Sequence, residues 1–306
     1  MQTILGANGT IGSLLARELA AYSDKIRLVS RNPKKTNDTD ELFPADLSDD
    51  LQVEKAIEGS EIVYLLVGFE YKLSVWREKW PKLMRATVNA CIKNNAKLVF
   101  FDNVYLYDKN AIPQMREDSP VNPPAEKGKV RKQVVEIMMN EVQKGKLKGL
   151  IARSADFYGP HNDKSVLQEM AYKNLKKGKS PNWMIDADKI HSFTYTPDAA
   201  KAVAILGNTP TAYGQVWHMP TSTEKITARQ VIDLFNTEMG TSKKVKVLPM
   251  WMLKLLGIFI PILREMPEMM YQNDRDYFFD SSKFNQRFSF TPTSYKEGVK
   301  QTVAAG

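Results

Sequence analysis

The sequence predicts an α/β protein, a doubly wound parallel sheet followed by a smaller C-terminal lobe, and three observations carry that reading. Short apolar runs alternate with amphipathic helical stretches through the first half of the chain. A glycine-rich turn joins the first strand to the first helix. The alternation stops near residue 155, where loops rich in proline and glycine take over. Strands separated by helices pair in parallel through right-handed crossovers, which cover both faces of the sheet.

Taken in order, Thr3–Leu5 reads as the first strand and Ser13–Ala21 has helical apolar spacing. Lys25–Ser30 is a second strand, stopped by Arg31-Asn32-Pro33, and residues 34–40 form a polar loop. Gln52–Ile57 is helical. Glu61–Val67 is an apolar run between Gly59 and Gly68, the length of a strand buried on both faces. A long amphipathic helix over Trp76–Asn94, a strand over Lys97–Phe101, a helix over Val130–Gln143 and a strand over Gly149–Arg153 complete the pattern. Beyond them, Ser165–Lys176 and Pro197–Leu206 read as helices and Gln215–Met219 as an isolated strand. The expected division is a sheet domain over residues 1–155 and a substrate lobe over 156–306, with some segments of the lobe returning to the sheet core.

Composition excludes several classes. Apolar residues are 43% and charged residues 25% of 306, which fits a globular chain. The 43 basic and 35 acidic residues give +8, and the cations are scattered. Lys173, Lys176, Lys177 and Lys179 cluster after Tyr172, which reads as a solvated helix end, so no nucleic-acid partner is expected. Cys91 is the single cysteine, which excludes a disulfide framework and a cysteine-based zinc module. His161, His191 and His218 lie far apart, and no metal is expected. Met1 runs directly into an apolar strand, so a cytoplasmic location is expected. The most apolar stretch, Met250 to Leu263, is broken by Lys254 and Pro261 and is too short to span a bilayer. It reads as a helix covering a cleft or packing on a partner, without membrane contact; a homodimer stays open.

The most specific motif is Gly6-Ala7-Asn8-Gly9-Thr10-Ile11-Gly12, placed between a strand and a helix. Glycines in this context give a tight turn, bring backbone close to a pyrophosphate and let the helix pack closely. The helix start then offers free N–H groups to phosphate oxygens. The second strand selects the cofactor. An acidic residue at its end would bind the adenosine ribose hydroxyls, but the strand ends in Ser30 and Arg31. A guanidinium can pair a 2′-phosphate with Ser30 as a further donor, so NADP is favoured, with NAD second.

Together with Asp46-Leu47 after Pro44-Ala45 and the stretch Arg153-Ser-Ala-Asp-Phe-Tyr-Gly-Pro160, these glycines resemble the extended short-chain dehydrogenases/reductases, the NAD-dependent epimerase/dehydratase superfamily. His191 to Ala200 and Phe290 to Gly298 are similar to later segments of that family. The resemblance implies a Rossmann-type sheet, with Asp46 by the adenine and the loop Leu66-Val67-Gly68 touching the cofactor. It also implies a Tyr-x-x-x-Lys pair, in which the lysine holds the ribose and the tyrosine moves a proton. Here the lysine position falls on Lys129, while the tyrosine position reads Ala125. The usual Ser or Thr at the end of the preceding strand is replaced by Asp102 or Asn103.

The chemistry therefore needs another proton donor, and Tyr105, Tyr107 and Tyr158 are the candidates, with Asn103 to orient a carbonyl or a water. Ordinary packing of half-buried tyrosines is the competing explanation for each. Lys127 and Lys129, followed by Arg131 and Lys132, read as a solvated positive helix start. Cations at a helix N-terminus are unfavourable, which calls for an anion nearby: a phosphate, an acidic substrate, or Asp102 as an ion-pair partner or base. In the second lobe, Trp183, Met184, Tyr195, Trp217, Met250 and Trp251, with the methionines of 266–270, suggest an apolar pocket wall. Few arginines gather here to grip a diphosphate, apart from Arg264 and Arg275, so a small apolar or carbonyl-bearing substrate is expected. The leading expectation is an NADP(H)-binding oxidoreductase that reduces a carbonyl or conjugated small molecule. The alternatives are an NAD-dependent sugar-nucleotide epimerase or dehydratase, and a non-catalytic NADP(H) sensor that binds a protein partner.

Overall fold

The computed structural model describes residues 1–162 and 165–306. From the N-terminus, the chain forms β1 (Gln2–Leu5), α1 (Thr10–Leu19), β2 (Ile26–Ser30), β3 (Glu41–Pro44) and α2 (Asp50–Ile57). Next come β4 (Ile62–Leu65), α3 (Leu73–Lys93), β5 (Lys97–Asn103), α4 (Glu126–Gln143) and β6 (Gly149–Ser154). These are followed by β7 (Asp156–Tyr158), a π-turn over Gln168–Tyr172 running into α5 (Lys173–Lys176), β8 (Asn182–Met184) and β9 (Phe193–Tyr195). The remainder is α6 (Thr196–Gly207), β10 (Val216–His218), α7 (Ala228–Glu238), β11 (Lys246–Leu248), α8 (Met250–Leu256), α9 (Pro261–Arg264), α10 (Ser282–Arg287) and α11 (Tyr295–Ala304).

The chain divides into two interleaved units. The first holds residues 1–102, 127–153 and 199–217; the second holds 103–126, 154–198 and 218–306.

The first unit is built on a seven-stranded sheet in the order β10-β6-β5-β4-β1-β2-β3. Strands β3, β2, β1, β4 and β5 pair in parallel, with Leu5 opposite Val29 on one side and Leu65 on the other. This is the doubly wound Rossmann-type order, in which the chain returns to the centre and reverses between β1 and β4. Both faces are covered, so β1 and β4 are buried along their whole length, as the apolar run over Glu61–Val67 predicts. Sequence reading passed over β3. It is a four-residue edge strand whose side chains are mostly exposed, so it carries no run of apolar residues to detect. Helix α1 opens at Thr10 instead of Ser13, because its first turn is made by the glycine motif itself. On the returning segment after α6, Asn208 shares a hydrogen-bond network with Gln2 and the Tyr64 hydroxyl, tying that segment to β1 and β4.

The second unit has two small parallel pairs, β7 with β9 and β8 with β11. An aromatic core joins them to α7 and α11: Tyr158, Trp183, Phe193, Phe235 and Tyr295 are all buried there. Helix α7 is fixed at its start by a capping box between Thr227 and Gln230, which satisfies two end N–H groups reciprocally.

Candidate functional site

The turn between β1 and α1 is shaped by what a side chain would strike. Gly6 has φ +91°, the left-handed region, and a Cβ there would lie 3.0 Å from the backbone of Leu66 and Val67. A Cβ on Gly12 would lie 2.5 Å from the Ala7 carbonyl oxygen, and one on Gly9 would lie 3.3 Å from that of Gly6. The N–H groups of Gly6 and Ala7 both donate to the Val29 carbonyl, at 2.9 and 3.1 Å, so the turn is pinned to β2. Leu66 N–H donates to the Leu5 carbonyl at 2.9 Å, which places Leu66 and Val67 beside the same turn. Helix α1 starts at Thr10 and Ile11 with Gly9 as N-cap; no side-chain oxygen caps it and no carboxylate lies in its first turn. Such a start favours an anion through backbone N–H groups and the helix dipole. Asn8 closes the edge of the turn by donating to the Asn32 carbonyl at 2.7 Å.

At the end of β2, the Ser30 hydroxyl is buried without a hydrogen-bond partner. A buried hydroxyl left unmatched is costly, and one beside a glycine cradle is a natural donor or acceptor for a ligand. Arg31 is exposed next to it. Asp46, exposed with its neighbour Leu47 half-buried, accepts from the backbone N–H and the hydroxyl of Ser48. Those two bonds, and then the charges of Arg31 and Lys79, hold its carboxyl below the usual carboxylate range. The cradle and the orphaned hydroxyl fit a dinucleotide, and they are brought together within the first unit.

The start of α4 differs from its sequence reading. Lys127 and Arg131 are buried, not solvated; Lys129 is exposed and Lys132 half-exposed. Four residues apart, Lys127 and Arg131 share one face of the helix, whereas Lys129 lies about 200° around from Lys127. Asp102 is the anion that the helix start called for, and it is an ion-pair partner. Arg131 donates to its Oδ1 at 2.9 Å through Nε and 2.5 Å through Nη2, while Arg153 donates to its Oδ2 at 3.2 and 3.0 Å. All three side chains are at most 2% exposed. The Arg131 guanidinium also lies 4.2 Å from the Trp80 ring and 4.8 Å from that of Phe100, and the Lys127 ammonium lies 4.8 Å from the Tyr71 ring. With both carboxylate oxygens engaged, Asp102 is not placed to act as a base. A carboxylate ending the apolar strand Lys97–Asn103 was the signal for this cluster, since a buried charge needs a buried partner.

The second unit holds the other candidates. Asn103 Oδ1 accepts from the Tyr105 N–H at 3.1 Å, which turns the chain at the end of β5. Tyr105 is half-buried. Tyr107 is fully buried, and its hydroxyl lies 2.7 Å from Nε2 of His218. The other ring nitrogen of His218 lies 2.7 Å from the Asp280 carbonyl, which can only accept. His218 therefore keeps its proton on Nδ1 and accepts from Tyr107, whose own proton is committed. Tyr158 is fully buried in the aromatic core, packed on Gly298, and its hydroxyl has no partner. Burial, followed by the charges of Tyr295 and Asp198, raises its pKa well above that of an ordinary tyrosine. It is a core residue and a poor acid. Ala125 is itself buried, at 3% exposed, leaving no room for a ring without repacking.

Sequence reading missed a pairing of buried His191 with half-buried Asp156 in this unit. His191 Nε2 lies 2.9 Å from Asp156 Oδ2, and the imidazole stacks on Tyr277 at 4.3 Å. Of the residues read as a pocket wall, Trp183 and Tyr195 belong to the aromatic core, while Trp251 is exposed. Arg275 is forked onto Asp274, and Arg264 donates to the carbonyls of Gly257 and Ile258. Among the described residues, no helix is long and apolar enough to cross a membrane.

Comparison with known proteins agrees with this architecture. The model of the NAD dependent epimerase/dehydratase family matches residues 3–218. No curated protein matches the chain. Among solved structures, a double mutant of the dTDP-glucose 4,6-dehydratase DesIV from Streptomyces venezuelae, with NAD bound, superposes with a TM-score of 0.82. It is 15% identical, over 100% of this chain and 96% of that one. The UDP-glucose 4-epimerase of Thermotoga maritima, with UDP-glucose, gives 0.81 at 18% identity, over 100% and 98%. The enzyme WbmH of Bordetella bronchiseptica, in complex with NAD+, gives 0.76 at 20% identity, over 99% and 97%. At these identities the likeness is one of fold.

Proposed function

This chain belongs to the NAD dependent epimerase/dehydratase family, and on that premise we propose that it is a nicotinamide-dinucleotide enzyme acting on a sugar nucleotide. The observation that carries the proposal is the glycine turn, in which Gly6 and Gly12 each face backbone atoms that leave no space for a side chain. The family and the sugar-nucleotide enzymes of like fold support this reading over the carbonyl reductase favoured from sequence.

In this reading, Gly6, Asn8, Gly9, Thr10, Ile11 and Gly12 hold the pyrophosphate through backbone N–H groups. Ser30 and Arg31 take the adenosine ribose, Asp46 and Leu47 the adenine edge, and Leu66 and Val67 the part of the dinucleotide beyond the turn. Bound nicotinamide supplies a hydride acceptor and donor. Tyr105 is the acid–base candidate of choice, because the hydroxyl of Tyr107 is committed to His218 and that of Tyr158 is sealed in a core. Asn103 holds the backbone of Tyr105 and is its positioning residue. Lys129, solvent-exposed on α4, keeps only the electrostatic part of the family lysine's role.

A second reading rests on Ala125 and on the pairing of Ser30 with Arg31. An alanine cannot move a proton, and a cationic β2 end suits a 2′-phosphate, which together favour an NADPH-dependent reductase of a carbonyl or conjugated substrate.

Titration of the protein with NADH and NADPH by nicotinamide fluorescence, followed by assays on UDP- and dTDP-sugars, tests the proposal. Dinucleotide binding with an epimerised or dehydrated sugar supports it. Tight NADPH binding with turnover of carbonyls alone moves the assignment to the reductase. Binding without turnover on either panel leaves the sensor, and binding of neither dinucleotide overturns all three. Tyr105→Phe is expected to lower turnover by roughly 10²–10⁴-fold at unchanged dinucleotide affinity. A variant that keeps full turnover removes Tyr105 from the chemistry.

A further inference from the structure

Large apolar side chains are unevenly exposed over this molecule. Of the eleven that are exposed among the described residues, seven lie between residues 247 and 262. Scattered apolar exposure is ordinary, whereas a contiguous patch marks an interaction surface. Helix α8 docks through buried Leu253 and turns Trp251 and Leu255, four residues apart on one face, outward at 63% and 51% exposed. The connection to α9 is more exposed still, with Ile258 at 62% and Phe259 at 78%.

The arrangement is a closed hairpin, not a frayed end. Arg264 donates to the carbonyls of Gly257 and Ile258, each at 3.2 Å, which satisfies backbone groups at the end of α8. A Cβ on Gly257 would lie 3.1 Å from the Arg264 backbone, so the two arms are in close contact there.

Charge selects the partner. Residues 239–264 carry Lys243, Lys244, Lys246, Lys254 and Arg264 and no Asp or Glu, and all five cations are exposed. In a two-fold dimer built on this patch, each hairpin would meet its own copy and bring like charges together. An anionic surface removes that conflict, and the short helices are suited to lying on a bilayer. The geometry points to the α8–α9 hairpin as a peripheral membrane anchor that inserts Trp251, Ile258 and Phe259 at the surface of a bilayer rich in anionic lipid. This assignment stands apart from the dinucleotide reading and differs from the expectation of a segment that packs without membrane contact.

Flotation of the full chain with phosphatidylglycerol vesicles, against phosphatidylcholine vesicles, tests it. Binding to the anionic vesicles is expected to be at least about tenfold tighter and to weaken with salt. The double variant Trp251→Ser/Phe259→Ser is expected to lose about tenfold or more in binding. The double variant Lys243→Glu/Lys244→Glu is expected to lose the preference for anionic lipid. Both pairs are exposed, so thermal melting of each variant should match that of the parent chain. No binding to anionic vesicles overturns the proposal, as does equal binding by the Trp251/Phe259 variant. A concentration-dependent dimer dissolved by that variant, without lipid binding, also overturns it and gives the patch to a second copy.

Discussion

Two helix starts in the first unit, each at the positive end of a helix dipole, are built in opposite ways. At α1 the chain strips away side chains: Gly9 caps without an oxygen, Gly6 and Gly12 let backbone press on backbone, and no charge lies in the first turn. At α4 the chain crowds in charge, with Lys127 and Arg131 buried on one face and Asp102, held also by Arg153, set against Arg131. The first start carries no side-chain cap; the second has a carboxylate from β5 paired with its buried arginine. The glycine turn that the resemblance assigns to the cofactor thus carries all three glycines, while the segment assigned to the reactive tyrosine has Ala125 and a structural ion cluster close by in sequence.

Four substitutions probe that contrast. The largest effect is expected from Asp102→Asn, which keeps the shape of the side chain and leaves two buried guanidinium groups without a counter-charge. A loss of about 3–5 kcal/mol in urea unfolding is expected, and a loss under about 1 kcal/mol would mean that the cluster is not the keystone of α4. At the other start, Gly12→Ala places a methyl against the Ala7 carbonyl and should cost about 1–3 kcal/mol through overpacking. Its companion Gly9→Val meets only a 3.3 Å contact, so the fold should persist while dinucleotide affinity falls. Unchanged affinity in both variants would detach the glycine turn from ligand binding. The smallest and most selective effect is expected from Arg31→Ala, which should weaken NADPH about tenfold, roughly 1.4 kcal/mol, with little change for NADH. Equal losses for the two would refute the 2′-phosphate assignment.

The contrast also explains which parts of the molecule were legible in sequence. Strands β1 and β4 announce themselves as apolar runs, because burial on both faces requires it, and the glycine turn announces itself because only glycine tolerates its backbone contacts. Edge strand β3 has neither property and was passed over. Lys127 and Arg131 resemble solvated cations when read along the chain, since their partners are remote: the Asp102 carboxylate and the Trp80 ring for Arg131, the Tyr71 ring for Lys127. Tyr107 looked as available as Tyr105 until the fold brought it to His218, 111 residues away. The apolar stretch from Met250 read as a packed helix; its exposure depends on what the rest of the second unit leaves uncovered.

The sequence by itself determined the doubly wound α/β alternation, the buried central strands, the family and the glycine turn between β1 and α1, because each rests on a local requirement: side-chain period, strand length or a backbone angle. Tertiary structure alone decided which titratable groups are spent on structure and which are left for chemistry. A charge or a hydroxyl acquires its role from its partners and from its distance to water, and both are set by residues remote in the chain.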